Sequence, residues 1–201
     1  MNKDLQIAKK TVQTEINALK KLSSSFAHSS QFSKAVNLIY KTRGKVLVIG
    51  VGKSYIVGIK VSSTLSSLGT PAYFVHATEG VHGDLGMITS EDIVIAISNS
   101  GKTRETLDLI VPIRQIGAKL VALTSRSDSE LARQADLVLN IGVQTEADPL
   151  GLAPTNSTTA TLALGDALAI TLSVNKKFTR EDFGVFHPGG SLGAKLQEER
   201  E

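Results

Sequence analysis

Apolar residues recur at roughly helical spacing at the start of the chain. Leu5, Ile7, Ala8, Val12, Ile16, Leu19 and Leu22 predict a helix over 3–26. Ser23, Ser24 and Ser25 interrupt that pattern, and a second helix is expected over about 30–41, with Phe32, Ala35, Val36, Leu38 and Ile39 as its apolar face. From Lys45 onward the texture changes to short continuous apolar runs at 45–49, 92–97, 118–124 and 136–141, with a shorter one at 72–75. Runs of this length that do not alternate with polar residues read as strands buried on both faces. Helical patterns over about 54–68, 103–116 and 128–134 separate most of them, and a long helix near 157–174 follows the last.

Strand and helix in alternation predict an α/β fold. The expected arrangement is a three-layer, Rossmann-like (flavodoxin-like) fold: a five-stranded parallel sheet flanked by helices, with the N-terminal helices added. A single domain is expected over 1–201, with a helical segment over about 1–42 and an α/β core over about 43–201. No internal repeat, low-complexity stretch or linker interrupts it. In such sheets ligands bind beyond the carboxyl ends of the strands, where the connections diverge, so the strand-to-helix loops should carry the chemistry.

Composition narrows the chemistry. With 41% hydrophobic residues among 201 but only 4% aromatic, Val, Ile, Leu and Ala must fill the core. There is no cysteine, which excludes a disulfide, a thiolate metal site and a cysteine nucleophile. No apolar run reaches the length that crosses a bilayer, and the charged N-terminus lacks a signal-peptide core, so no membrane role is expected and the cytoplasm fits. The net charge of +3 is small and scattered, which argues against nucleic acid and suits an anionic small molecule.

Two loops stand out. Gly50-Val51-Gly52-Lys53-Ser54 follows the first strand; its glycines allow a sharp turn and close approach to a ligand, Lys53 supplies a positive charge, and Ser54 can cap the next helix. It is neither a Walker A loop, since Leu47 stands where the first Gly is needed, nor a dinucleotide fingerprint, since Tyr55 replaces the third Gly. A tight turn with a solvated lysine is the plain alternative. The second loop, Ser98-Asn99-Ser100-Gly101-Lys102-Thr103, lies between a buried strand and a helix start, where backbone N–H groups and the helix dipole favour an anion. Ser98, Ser100 and Thr103 add hydroxyl donors without charge; the plain alternative is a serine-capped turn.

Glu105 falls in the first turn after this loop, and Glu146 lies just past the last strand. Taken alone, these are a favourable first-turn acid and a surface loop residue. Of the four histidines, His28 lies in a polar serine-rich turn and His76 follows a strand. His82 and His187 sit in loops rich in Gly and Pro, which suits acid–base work near pH 7. No pair has the i,i+4 spacing of a helical metal site, so only folding could assemble one, and no metal is expected.

Five segments together resemble the sugar isomerase (SIS) domain, and more narrowly arabinose-5-phosphate isomerases of the KpsF and GutQ type. They are 48–54 (VIGVGKS), 82–87 (HGDLGM), 96–101 (AISNSG), 149–155 (PLGLAPT) with 157–160 (STTA), and 187–193 (HPGGSLG). The resemblance implies reversible conversion of D-arabinose 5-phosphate and D-ribulose 5-phosphate without a cofactor. It places Lys53, His82, Glu105, Glu146 and His187 on the family's active-site positions, and Ser54, Ser98, Asn99, Ser100 and Thr103 on positions that hold the sugar phosphate. It also implies a homotetramer with active sites shared between subunits. The apolar face of the first helix independently calls for a partner. Another sugar phosphate, hexose or aminosugar, and a non-catalytic sensor of sugar phosphates are the alternatives.

The chain departs from the family pattern at Tyr55, where a Gly is usual, and at Lys102, where many members have Glu. Longer members continue into a pair of CBS domains, and a protein without that pair is expected here. The implied reaction runs through a cis-enediol. Glu146 is favoured as the carboxylate that moves the proton, with Glu105 second. Lys53 would stabilise the enediolate oxygen, and His187, or His82 of a neighbouring subunit, would assist ring opening or proton shuttling.

Overall fold

The computed structural model describes residues 2–189. Gly190–Gly193, the end of the last resembling segment, lie outside the described residues. The chain begins with α1 (Lys3–Ser25) and α2 (Ser30–Lys41), joined by a short 3-10 turn. The Asn2 and Ser29 side chains cap these helices by accepting from the Asp4 and Phe32 backbone N–H groups. The core then alternates: β1 (Val46–Gly50), α3 (Lys53–Ser67), β2 (Ala72–His76), α4 (Ala77–Gly80), β3 (Ile93–Ile97), α5 (Arg104–Leu107), α6 (Ile110–Ile116), β4 (Lys119–Thr124), α7 (Glu130–Gln134) and β5 (Leu137–Asn140). Finally come α8 (Asn156–Asn175) and α9 (Arg180–Phe186).

The five strands are all parallel, in the order β2-β1-β3-β4-β5. Successive side chains on a strand point to opposite faces, so each strand feeds two cores. Val46, Val48, Ile93, Ile95, Val121 and Leu123 meet α2, α3 and α8 on one face. Leu47, Ile49, Val94, Ala96, Leu120 and Ala122 meet residues of α5, α6 and α7 on the other. This is the three-layer α/β arrangement that the unalternating apolar runs predict. From β1 the chain turns to β2 on one side, then crosses to β3 on the other, which opens a crevice at the carboxyl ends of β1 and β3.

The predicted helix over 103–116 is two helices. Pro112 has no N–H to donate to the Asp108 carbonyl, and its ring crowds that group, so regular α structure stops after Leu107 and restarts at Ile110. The pattern also missed α4, the 3-10 turn over Asp84–Met87, and α9. By length and composition α8 is apolar enough to cross a membrane, contrary to the reading of apolar runs, which its threonines and Asp166 interrupt. It packs inside the fold: Ala160, Leu164, Leu168 and Leu172 are buried, and a Cβ on Gly165 would come within 2.4 Å of Val61 on α3.

At the opposite end of the strands from the crevice, Asp92 is buried and joins the starts of β1 and β3. It accepts from the Lys45 backbone N–H (2.8 Å) and the Thr89 N–H (2.8 Å) and pairs with Lys45 Nζ (2.8 Å). Burial pushes its carboxyl up, but the bonds from Lys45 and Thr89 together outweigh that and hold it below the usual range. Asp92→Ala is expected to cost about 3 kcal/mol in urea unfolding, the low end for breaking a buried pair because Lys45 keeps access to water. A lowered carboxyl contributes stability that is fully present above the ordinary aspartate range and lost as pH falls through the folded value. The wild-type advantage over the variant is therefore expected to shrink on acidification below that range.

Candidate active site

The crevice holds a cavity of about 390 Å³. Four segments wall it: Lys53 and Ser54 at the start of α3; Asn99, Ser100 and Thr103 after β3; the stretch Val143–Glu146 with Gly151, Leu152 and Pro154 after β5; and Ser157, Thr158 and Thr161 on α8. Thus Lys53, Ser54, Asn99, Ser100, Thr103 and Glu146, all proposed from sequence, converge on one space.

The serine loop is rigidly tied to its neighbour. The Asn99 carbonyl accepts from the Ser125 N–H (3.0 Å) and from Thr124 Oγ1 (3.1 Å), and Asn99 Oδ1 accepts from Ser125 Oγ (2.6 Å). Ser98 is buried and does not face the cavity. Its Oγ bonds Thr103 Oγ1 (2.8 Å) and accepts from the Gly101 N–H (3.1 Å), so it shapes the loop from within. Gly101 has φ +62°, and a Cβ there would lie 2.0 Å from Ser129 Oγ. Only glycine fits both the backbone and the space.

Glu146 is half-buried and faces this loop across the cavity. Its Oε2 accepts from the Thr155 N–H (2.8 Å), Thr155 Oγ1 (3.2 Å) and the Ser157 N–H (3.1 Å), so it closes the N-terminus of α8. Burial raises its carboxyl, but the bonds from Ser157 and Thr155 prevail and hold it below the usual glutamate range, so it is ionised at neutral pH. The Ala147 N–H to Thr155 Oγ1 (2.8 Å) and Asn156 Nδ2 to the Thr145 carbonyl (2.9 Å) fix the same segment.

The other candidates do not line the cavity in this chain. Glu105 is exposed on α5. His82 is exposed in the turn after α4. His187 ends α9, with its ring stacked on Phe183 (3.8 Å between centroids) and Nδ1 2.9 Å from the Phe183 carbonyl. Tyr55 also faces elsewhere, with its ring 5.0 Å from that of Phe74 and 4.9 Å from that of His76. Sequence reasoning assigned no role to Thr155, Ser157 or Thr158. The Thr-Asn-Ser-Thr-Thr run directly before a helical pattern marks a capped helix start, and that signal could have found them.

The SIS domain profile matches residues 38–171, which contain the serine loop, Lys53 and Glu146. The chain belongs to the SIS domain family. This SIS chain is 49% identical over 191 residues to arabinose 5-phosphate isomerase KdsD of Yersinia pestis, an alignment covering 95% of this chain and 58% of the relative. It spans about half the length of the curated relatives it matches. Among solved structures, an Escherichia coli CFT073 protein in complex with arabinose 5-phosphate superposes with a TM-score of 0.89 at 44% identity, covering 94% of this SIS chain and 100% of that one. A putative sugar-phosphate isomerase from Listeria monocytogenes gives 0.88 at 35% identity, with the same coverage.

Proposed function

We propose that this SIS domain chain is an aldose–ketose isomerase that interconverts D-arabinose 5-phosphate and D-ribulose 5-phosphate. The observation that carries the reading is an ionised carboxylate, Glu146, facing a hydroxyl-lined anion loop across a cavity of about 390 Å³, a size that suits a pentose phosphate. The KdsD relative and the ligand-bound Escherichia coli structure name the same sugar phosphate.

Ser100, Thr103 and Ser54 bind the phosphate with Asn99 beside them, and Ser98 holds the loop in shape. Anchoring one end of the sugar fixes the other against Glu146 and Lys53. Glu146 moves a proton between C1 and C2, and the Lys53 ammonium stabilises the developing enediolate oxygen. Of the two carboxylates, only Glu146 lines the cavity of a single chain, which favours it over Glu105 as the base.

Glu105, His82 and His187 become part of this site in a homo-oligomer, a tetramer by preference, in which a neighbouring copy completes the cavity. The exposed Leu5, Val12 and Ile16 of α1 offer apolar surface for that association. Residues 1–201 act as one domain, and the cytoplasm, where sugar phosphates are retained by their charge, is the place of action.

Incubating the protein with D-ribulose 5-phosphate in deuterium oxide tests the reading. Deuterium is expected at C2 of the arabinose 5-phosphate formed. Exchange only with hexose or aminosugar phosphates would move the substrate class, and binding of sugar phosphates without any exchange would overturn catalysis.

A further inference from the structure

We infer that Asp148 is a positioning residue that holds one wall of the cavity in place, an inference that takes the pentose phosphate reading above for its kinetic consequences. Between Pro149 and Pro154 the chain has four backbone N–H groups, and all four are bonded to Asp148. The Leu150 N–H donates to Oδ1 (3.2 Å), and those of Leu152 and Ala153 donate to Oδ2 (3.0 Å each). The Gly151 N–H donates to the Asp148 carbonyl (2.8 Å), and Gly151 takes φ +68° to close the turn. The two prolines can donate nothing.

This turn is cavity wall. Gly151, Leu152 and Pro154 line the cavity, whereas Asp148 does not. The leucine side chains do not anchor the turn, because Leu150 and Leu152 are each 78% exposed. Three backbone bonds to one carboxylate, with the Gly151 bond to the carbonyl of the same residue, are therefore what set the wall. They also hold the Asp148 carboxyl below its usual range, through the N–H groups of Ala153, Leu152 and Leu150 in that order. Glu146 is clamped separately by Thr155 and Ser157, so a loosened wall leaves the proposed base in place.

An amide has one acceptor oxygen where the carboxylate has two. Asp148→Asn can thus keep the Leu150 bond or the Leu152 and Ala153 pair, but not both sets, and Asp148→Ala loses all three and keeps only the Gly151 bond to the backbone carbonyl. In the full chain, KM for arabinose 5-phosphate is expected to rise by about tenfold in Asp148→Ala and by a smaller factor in Asp148→Asn, with kcat within about threefold of wild type, the pattern of lost uniform binding. The thermal midpoint is expected to fall only slightly, since the lost bonds hold an exposed turn and the side chain touches no core residue. Chymotrypsin, which cleaves after leucine, reads the same wall without catalysis. Cleavage after Leu150 or Leu152 is expected to be faster in Asp148→Ala than in Asp148→Asn, and slowest in wild type. Wild-type KM and wild-type cleavage in Asp148→Ala would overturn the inference, as would a fall in kcat at unchanged KM. If no form turns over any pentose phosphate, the functional reading fails, while the cleavage order still decides the role of Asp148.

Discussion

Glu146→Gln is expected to lower kcat for arabinose 5-phosphate by about 10²–10⁴-fold, the range for loss of a positioned acid–base group. Glutamine is close to isosteric and can still accept from the Thr155 and Ser157 N–H groups, so the fold should survive with a loss of about 1 kcal/mol for the weakened cap of α8. Glu105→Gln is the comparison: Glu105 is exposed and outside the cavity of a single chain, so its loss is expected to lower kcat less than Glu146→Gln does. Near wild-type turnover in Glu146→Gln together with none in Glu105→Gln would reverse the assignment. The bonds that keep Glu146 ionised also make it a weak base in the free protein. A bound sugar that displaces water from the carboxylate raises its pKa, so the acid limb of kcat is expected at higher pH than the acid limb of kcat/KM.

Gly101→Ala is expected to be the most damaging small substitution. The left-handed backbone at φ +62° disfavours a Cβ by about 1–2 kcal/mol. The contact with Ser129, whose Oγ and Cβ would lie 2.0 and 2.4 Å away, adds an overpacking penalty of about 1–3 kcal/mol. Urea unfolding should show the sum, and competitive inhibition by inorganic phosphate should weaken in parallel if this loop holds the anion as proposed. Gly101→Asn separates the two causes. Asparagine tolerates the left-handed backbone better than alanine yet is larger, so a smaller loss in Gly101→Asn than in Gly101→Ala would assign the damage to the backbone.

Much of this architecture was legible because the strands are buried on both faces. A central strand such as 93–97 needs apolar residues at every position, and such runs are hard to mistake. What hid from the pattern was short or broken. Residues 77–80 form a single turn whose four residues carry no period. The split between α5 and α6 hangs on Pro112 within an otherwise helical pattern. Helix α9 had a readable start, since Thr179 and Asp182 cap each other, but it buries no residue to give an apolar stripe.

The site was legible in its loops but not in its orientations. The sequence marks 98–103 as a hydroxyl-rich helix entrance. It does not show that Ser98 turns inward while Ser100 faces the cavity, because that depends on how β4 and its loop grip Asn99. Likewise Glu146 reads as a surface loop residue until the entrance of α8 is seen to fold onto it.

That contact has a consequence for the entropy of catalysis. A free glutamate side chain samples many rotamers, and restricting it costs about 1.5–2 kcal/mol. Here Oε2 is already committed to donors on Thr155 and Ser157. The ordering of Glu146 is completed when the chain folds, so a sugar bound as proposed would meet a carboxylate already held in place.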